Sequence, residues 1–237
     1  MTESIDLKFV ASQAVTAAGA RVIDHGGETL LIEDGDVRVL DIDRQVKNPL
    51  KITTLAGVVK AITTNMLEHE VSSINVVSPT KLFIYGHVDG HGRREVLAQT
   101  ELLFNPFSFN RQYEREDMIV ALQSLFVKNN DRELLLKFIS NVKDSNEQNY
   151  VDDGVSQVAK VQVGAASLSN AVVPNPVSLK PFRTFPEVEQ PESKFIFRMQ
   201  DADSFKLVEA DGGVWEREAI VNIGKFLEEK LTIPVIY

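Results

Sequence analysis

Residues 173–200 read VPNPVSLKPFRTFPEVEQPESKFIFRMQ and hold five of the chain's nine prolines: Pro174, Pro176, Pro181, Pro186 and Pro191. Each proline fixes φ, removes an N–H and drives the preceding residue into extended backbone. A polar run of this kind is a linker. This one carries apolar residues between its prolines, at Val173, Val177, Leu179, Phe182, Phe185 and Val188. It reads as a stiff extended path whose side chains need burial, either on its own domain or on a partner. It runs into a strand at 195–199. The candidate interaction residues are Phe182, Arg183, Phe185, Val188 and Arg198.

On the near side of this stretch, residues 155–163 alternate and mark a strand. Residues 164–170 are small and polar and read as a flexible loop. On the far side, 205–209 is a short strand and Asp211-Gly212-Gly213 is a turn. A helix over 214–231 follows, with Trp215, Ala219, Ile220, Ile223, Phe226 and Leu227 as its inward stripe. Trp215 is expected to be substantially buried, so that Trp215→Ala costs on the order of 3–5 kcal/mol. Residues 233–237 read as a terminal strand.

Further out, residues 5–20 form a helix ending near Gly19. ETLLIE and VRVLDI flank the Asp34-Gly35 turn as a hairpin. Thr53 or Thr54 caps a second helix with Leu55, Val58, Val59, Ile62 and Met66 on one face. SINVVS, KLFIYGHV and REVLAQTEL make a three-strand meander. Residues 102–113 are aromatic-rich and irregular. Two helices follow as an αα-hairpin. The first has Met118, Ile119, Leu122, Leu125 and Phe126 on one face. The second is capped by Asn130 or Asp131 and presents Leu134, Leu135, Phe138, Ile139 and Val142. Residues 144–149 are a polar loop.

Strands in antiparallel groups with helices inserted between them indicate an α+β fold with a C-terminal amphipathic helix. The expected division is an N-terminal helix and hairpin over 1–50, an α+β lobe over 51–145 and a β-rich lobe over 146–237, or one continuous domain. With 237 residues and 43% hydrophobic content, the chain can build a real core and wholesale disorder is not expected. The chain has no cysteine, which removes disulfides, thiolate zinc sites and a cysteine nucleophile. Met1 is followed by TESIDLK, so no secretory signal is expected. No apolar run approaches the ~18 residues of a membrane span.

The net charge of −9 argues against a general duplex-DNA binder. Interleaved bases and rings offer a possible single-strand groove: Arg93, Arg94, Arg111, Arg115, Lys180, Arg183, Lys194 and Arg198 with Phe107, Phe109, Tyr113, Phe182, Phe185 and Phe197. The commoner arrangement has the rings in a core and the bases in water, and nucleic acid is not the expected partner. His87, Asp89 and His91 have metal-ligating chemistry, but on a hairpin tip their spacing is not diagnostic. No Rossmann or P-loop fingerprint occurs. Catalytic, cofactor and metal residues are therefore expected to be none.

The pieces LAQTELLFNPFSFN, YVDDGVSQVAKVQVGAAS, VPNPVSLKPFRTFPEVEQPESKFIFRMQ and VEADGGVWEREAIVNIGKFLEEKL resemble an uncharacterised protein family of tailed phages and prophages. That family is similar to the domain-of-unknown-function group that includes the prophage YfdQ protein. The resemblance covers roughly residues 51–231. It implies the host bacterial cytoplasm and a neighbourhood of replication and recombination functions, and it carries no catalytic residues. The expected function is a non-enzymatic homo-oligomer acting early in infection. The alternatives are a nucleotide- or small-molecule-binding protein countering host immunity, and a virion or assembly component.

Overall fold

The computed structural model describes residues 7–25, 28–33, 36–40, 46–89, 92–142, 157–163, 167–172, 174–201 and 203–237. The fold is α+β. The chain begins with helix α1 (Leu7–Ala18), which ends at Gly19 with φ +77°, a left-handed position where glycine costs nothing. Strands β1 (Arg21–His25), β2 (Glu28–Glu33) and β3 (Asp36–Leu40) form an antiparallel sheet in that order.

Next come β4 (Leu50–Ile52), helix α2 (Leu55–Thr63), and strands β5 (Ser73–Ser78), β6 (Lys81–Val88) and β7 (Arg94–Thr100). Strand β8 (Gln112–Glu114) leads into helices α3 (Arg115–Ser124) and α4 (Asn130–Asn141). Strands β9 (Val158–Val163) and β10 (Ser167–Val172) pair with each other as a separate hairpin. Then follow β11 (Val177–Leu179), β12 (Ser193–Asp201), β13 (Ser204–Glu209), helix α5 (Val214–Glu228) and β14 (Val235–Ile236).

Two cores hold the body together, and they do not divide it in chain order. The first lies under a five-stranded sheet, order β14-β5-β6-β7-β4, whose outer strands β14 and β4 run parallel to their neighbours. Leu55 and Val58 of α2, Ile223 and Leu227 of α5, and Ile74, Leu82 and Ile84 of the sheet are buried together. The second core joins the antiparallel sheet β11-β12-β13-β8 to α3 and α4 through Met118, Leu122, Leu135, Ile139, Phe195, Phe197 and Phe205. Phe197 and Phe205 stack at 5.8 Å in this core. Thus α3 and α4 pack with the later strands, and α5 returns to the earlier sheet. The boundary expected near residue 145 follows neither cluster.

The proline stretch is what crosses between them. Val177 and Leu179 belong to the second core, while Phe185 belongs to the first. Val127 N–H donates to Lys180 O and Phe182 N–H to Leu125 O on one side. On the other, Thr184 Oγ1 donates to Pro79 O at 2.5 Å and Ala56 N–H donates to Glu187 Oε1 at 3.2 Å. Glu187 so adds a carboxylate to the N-terminus of α2, where the helix dipole favours it. Buried Gln190 closes the loop: its Oε1 accepts from the N–H of Arg183 and Thr184, and its Nε2 donates to Phe185 O.

Several local expectations change. β1 adds a third strand to the expected N-terminal hairpin. β10 replaces most of the loop expected over 164–170, because in-register pairing with β9 supplies hydrogen bonds that small polar side chains do not advertise. Part of 155–163 and all of 144–149 lie outside the described residues. Thr54 caps α2 through Gly57 N–H. Asn129, not Asn130 or Asp131, caps α4, and Asp131 instead accepts from Ser178 N–H on the outer edge of β11. Met66 lies past the end of α2 and Leu134 turns outward on α4, at 59% and 51% exposure. Helix α5 ends at Glu228, short of the expected Leu231.

Candidate interaction surfaces

The five residues singled out on the proline stretch have different fates. Phe185 is fully buried and Arg183 is 5% exposed. Their side chains are spent within the chain. Val188 and Arg198 are half-buried, and Phe182 is 39% exposed. The structure does not gather them into one surface.

Arg183 instead centres a polar joint at the start of α5. Its Nη1 donates to Glu209 Oε1 at 2.7 Å and its Nη2 donates to Ser193 Oγ, which in turn donates to Asp211 Oδ2. The guanidinium lies 3.8 Å from the centre of the Trp215 ring. Burial pushes the Arg183 pKa down to about 10, although Glu209 and Asp211 pull it up. Burial also raises the Glu209 carboxyl against the pull of Arg183. Burial would raise Asp211 too, but the Ser193 hydroxyl, Gly213 N–H and Arg183 outweigh it and hold that carboxyl low. Trp215 is half-buried, with one ring face covered by a cation. These groups are paired with one another, and the arrangement is a fastener between the proline stretch, β13 and α5.

At the β6–β7 end of the first sheet, a hollow of about 390 Å³ is lined by Glu68, His69, Glu70, His87, Asp89 and Glu95. His69 Nδ1 lies 3.0 Å from Glu95 Oε2, and His87 Nε2 lies 3.5 Å from Glu70 Oε2. His91 lies outside the described residues. No group of three or more His, Asp or Glu suited to a metal occurs among the described residues.

The N-terminal sheet presents a different surface. Its register places Ile23 beside Leu30 and Leu30 beside Val39, with Ile32 beside Val37 in the adjoining row. Side chains alternate across a strand, so these five apolar residues share one face. Val37, Val39 and Ile23 are 60%, 51% and 42% exposed, and Leu30 and Ile32 are half-buried. The hairpin pattern was legible in ETLLIE and VRVLDI. That none of the described residues covers its face was not, because a sequence shows the alternation but not what lies opposite it.

No helix among the described residues is long and apolar enough to cross a membrane. A scan against protein-family models finds no match, and searches of curated proteins and of solved structures find none either.

Proposed function

We propose that the chain is a non-catalytic subunit that assembles with copies of itself through the N-terminal sheet. The observation that carries this is the apolar face of Ile23, Leu30, Ile32, Val37 and Val39, which no described residue covers. A three-stranded sheet in water needs a packed face to be stable. A second copy offers the same five-residue face, and two such faces stack as an aligned sandwich about a two-fold axis. The three most exposed residues, losing roughly half their surface in each copy, contribute about 6 kcal/mol per pair. That is of the same order as the cost of association, so assembly depends on concentration.

The resemblance to the tailed-phage family supports a setting in the host cytoplasm early in infection, beside replication and recombination. The virion-component and immune-ligand alternatives rest on that resemblance alone.

Sedimentation equilibrium between about 1 and about 100 µM tests the assembly. The expected result is a mass that rises with concentration and falls to one chain in Val37→Asp/Val39→Asp. A strictly monomeric wild type, or an oligomer indifferent to those substitutions, overturns the reading.

A further inference from the structure

Among the described residues, the five-stranded sheet has helices on one face only. Leu82 and Ile84 of β6 point into the first core beneath α2 and α5. The alternate residues Lys81, Phe83, Tyr85 and His87 point the other way. The register extends this open face across the sheet, with Asn75, Phe83, Gln99 and Lys51 standing in one row over β5, β6, β7 and β4. Phe83 and Tyr85 are half-buried, and neither belongs to either core. Their ring centres are 6.0 Å apart. A cation lies over each ring: Lys81 Nζ is 4.8 Å from the centre of Phe83, and the Arg94 guanidinium is 5.8 Å from that of Tyr85. At one end the face continues into a hollow of about 390 Å³ lined by Lys51, Lys81, Gln99 and Phe104, the last 39% exposed.

We infer that this open face, with Phe83 and Tyr85 set between Lys81 and Arg94, binds a single strand of nucleic acid by stacking its bases. Two rings on adjacent outward positions of a central strand form a stepped platform for successive unstacked bases. Lys81 and Arg94, exposed side chains lying over the rings, swing off them to meet the phosphates when bases stack. The amides of Asn75 and Gln99 offer donors and acceptors to base edges. A duplex hides its base faces and gains nothing here. The net charge of −9 repels phosphates at long range, and Glu101 pairs with Lys51 at 2.8 Å on this edge. Affinity therefore comes mainly from stacking. With three cations on the face, the slope of log affinity against log salt is about −2.

The test is fluorescence anisotropy of the intact chain with labelled oligothymidylate and oligouridylate of about 15 nucleotides, and with a blunt duplex of equal length. The expected result is binding to at least one single strand and at least about tenfold weaker binding to the duplex. Phe83→Ala and Tyr85→Ala each weaken binding by about tenfold, within the range of one lost stacking contact. Lys81→Gln lowers the magnitude of the salt slope by about 0.7. Lys137→Gln, on α4, changes nothing. Oligodeoxyuridylate, which differs from oligouridylate only in the sugar, is a third probe, and a preference between these two identifies the strand as RNA or DNA. If an aromatic variant unfolds by circular dichroism, the exposed charge reversals Lys81→Glu and Arg94→Glu carry the same test and should each weaken binding by about tenfold. Failure of both single strands to bind overturns the inference. So does equal binding to duplex, or wild-type affinity in folded variants of the platform. Val37→Asp/Val39→Asp should still bind the strand, which separates this site from the assembly contact.

Discussion

Arg183→Met should leave stability nearly unchanged, although it removes two charged hydrogen bonds and a stacked cation. The guanidinium is 5% exposed, and its Nε has no hydrogen-bond partner among the described residues. Its pKa, depressed from the ordinary guanidinium value to about 10, corresponds to a net penalty of ~3 kcal/mol on the charged form even with Glu209 and Asp211 nearby. Contact with the Trp215 face at 3.8 Å returns about 2 kcal/mol in a desolvated setting. The balance is about 1 kcal/mol against the charge. A methionine of similar length keeps the stem's packing and removes the penalty, as buried ion pairs replaced by apolar groups often do. The expected change is within about 1 kcal/mol of zero. Removing only a partner should behave differently. Glu209→Gln leaves the buried cation less compensated and should cost about 1–3 kcal/mol, the lower end being favoured because Glu209 is 36% exposed. In the Arg183→Met background the same change should cost almost nothing. Urea denaturation followed through Trp215, the chain's single tryptophan, measures all three variants. A loss above ~3 kcal/mol in Arg183→Met would mean that the charge network stabilises the joint more than burial costs it. Equal Glu209→Gln penalties in both backgrounds would mean that the two side chains are not coupled.

Phe185→Ala should cost about 3–5 kcal/mol by opening a cavity in the first core, while Phe182→Ala, three residues earlier and 39% exposed, should stay within ~1 kcal/mol; chemical denaturation of both tests how the proline stretch is seated, and similar losses would contradict it. A Cβ on Gly224 would fall inside contact distance of the Tyr237 ring. Gly224→Ala should therefore displace that ring, and Tyr237→Ala should cost stability in the wild type but not in Gly224→Ala; thermal melts showing equal costs would refute this. The Asp211 carboxyl is held below its ordinary value, so its contribution is present above about pH 3.8 and is lost as pH falls through the depressed folded-state pKa. Acid titration of Asp211→Asn should show a shallower loss of stability in that range, and an unchanged acid limb would remove Asp211 from the account. Burial raises Glu209, so its effect runs the other way as pH climbs past the usual carboxylate range.

The long periodic elements were readable from residues alone. Leu55 and Val58, Met118 and Leu122, and Ile223 and Leu227 recur at helical spacing because each helix has one dry face. KLFIYGHV alternates because one side of β6 is buried. The same alternation held the signal for the stacking platform: Phe83 and Tyr85 occupy the positions between Leu82, Ile84 and Gly86. The rings that the sequence interleaves with bases lie elsewhere, near Arg111, Arg183 and Arg198. Half of those rings, Phe107, Phe185 and Phe197, are buried. Short strands such as β4, β8 and β11 were not legible, since three residues carry no period and exist only through their partners.

Local pattern thus determined which residues turn inward, the α+β class and the stiffness of residues 173–200, because φ restriction and hydrophobic period act over a few neighbours. Only the tertiary structure decided where those inward faces go. It sends α5 back to the earlier sheet and α3 and α4 forward to the later one, and threads the proline stretch between the two cores. Among the described residues it also leaves one face of the N-terminal sheet and one face of the five-stranded sheet uncovered. Burial is a property of what lies opposite a face, and nothing in the chain's own periodicity names its partner.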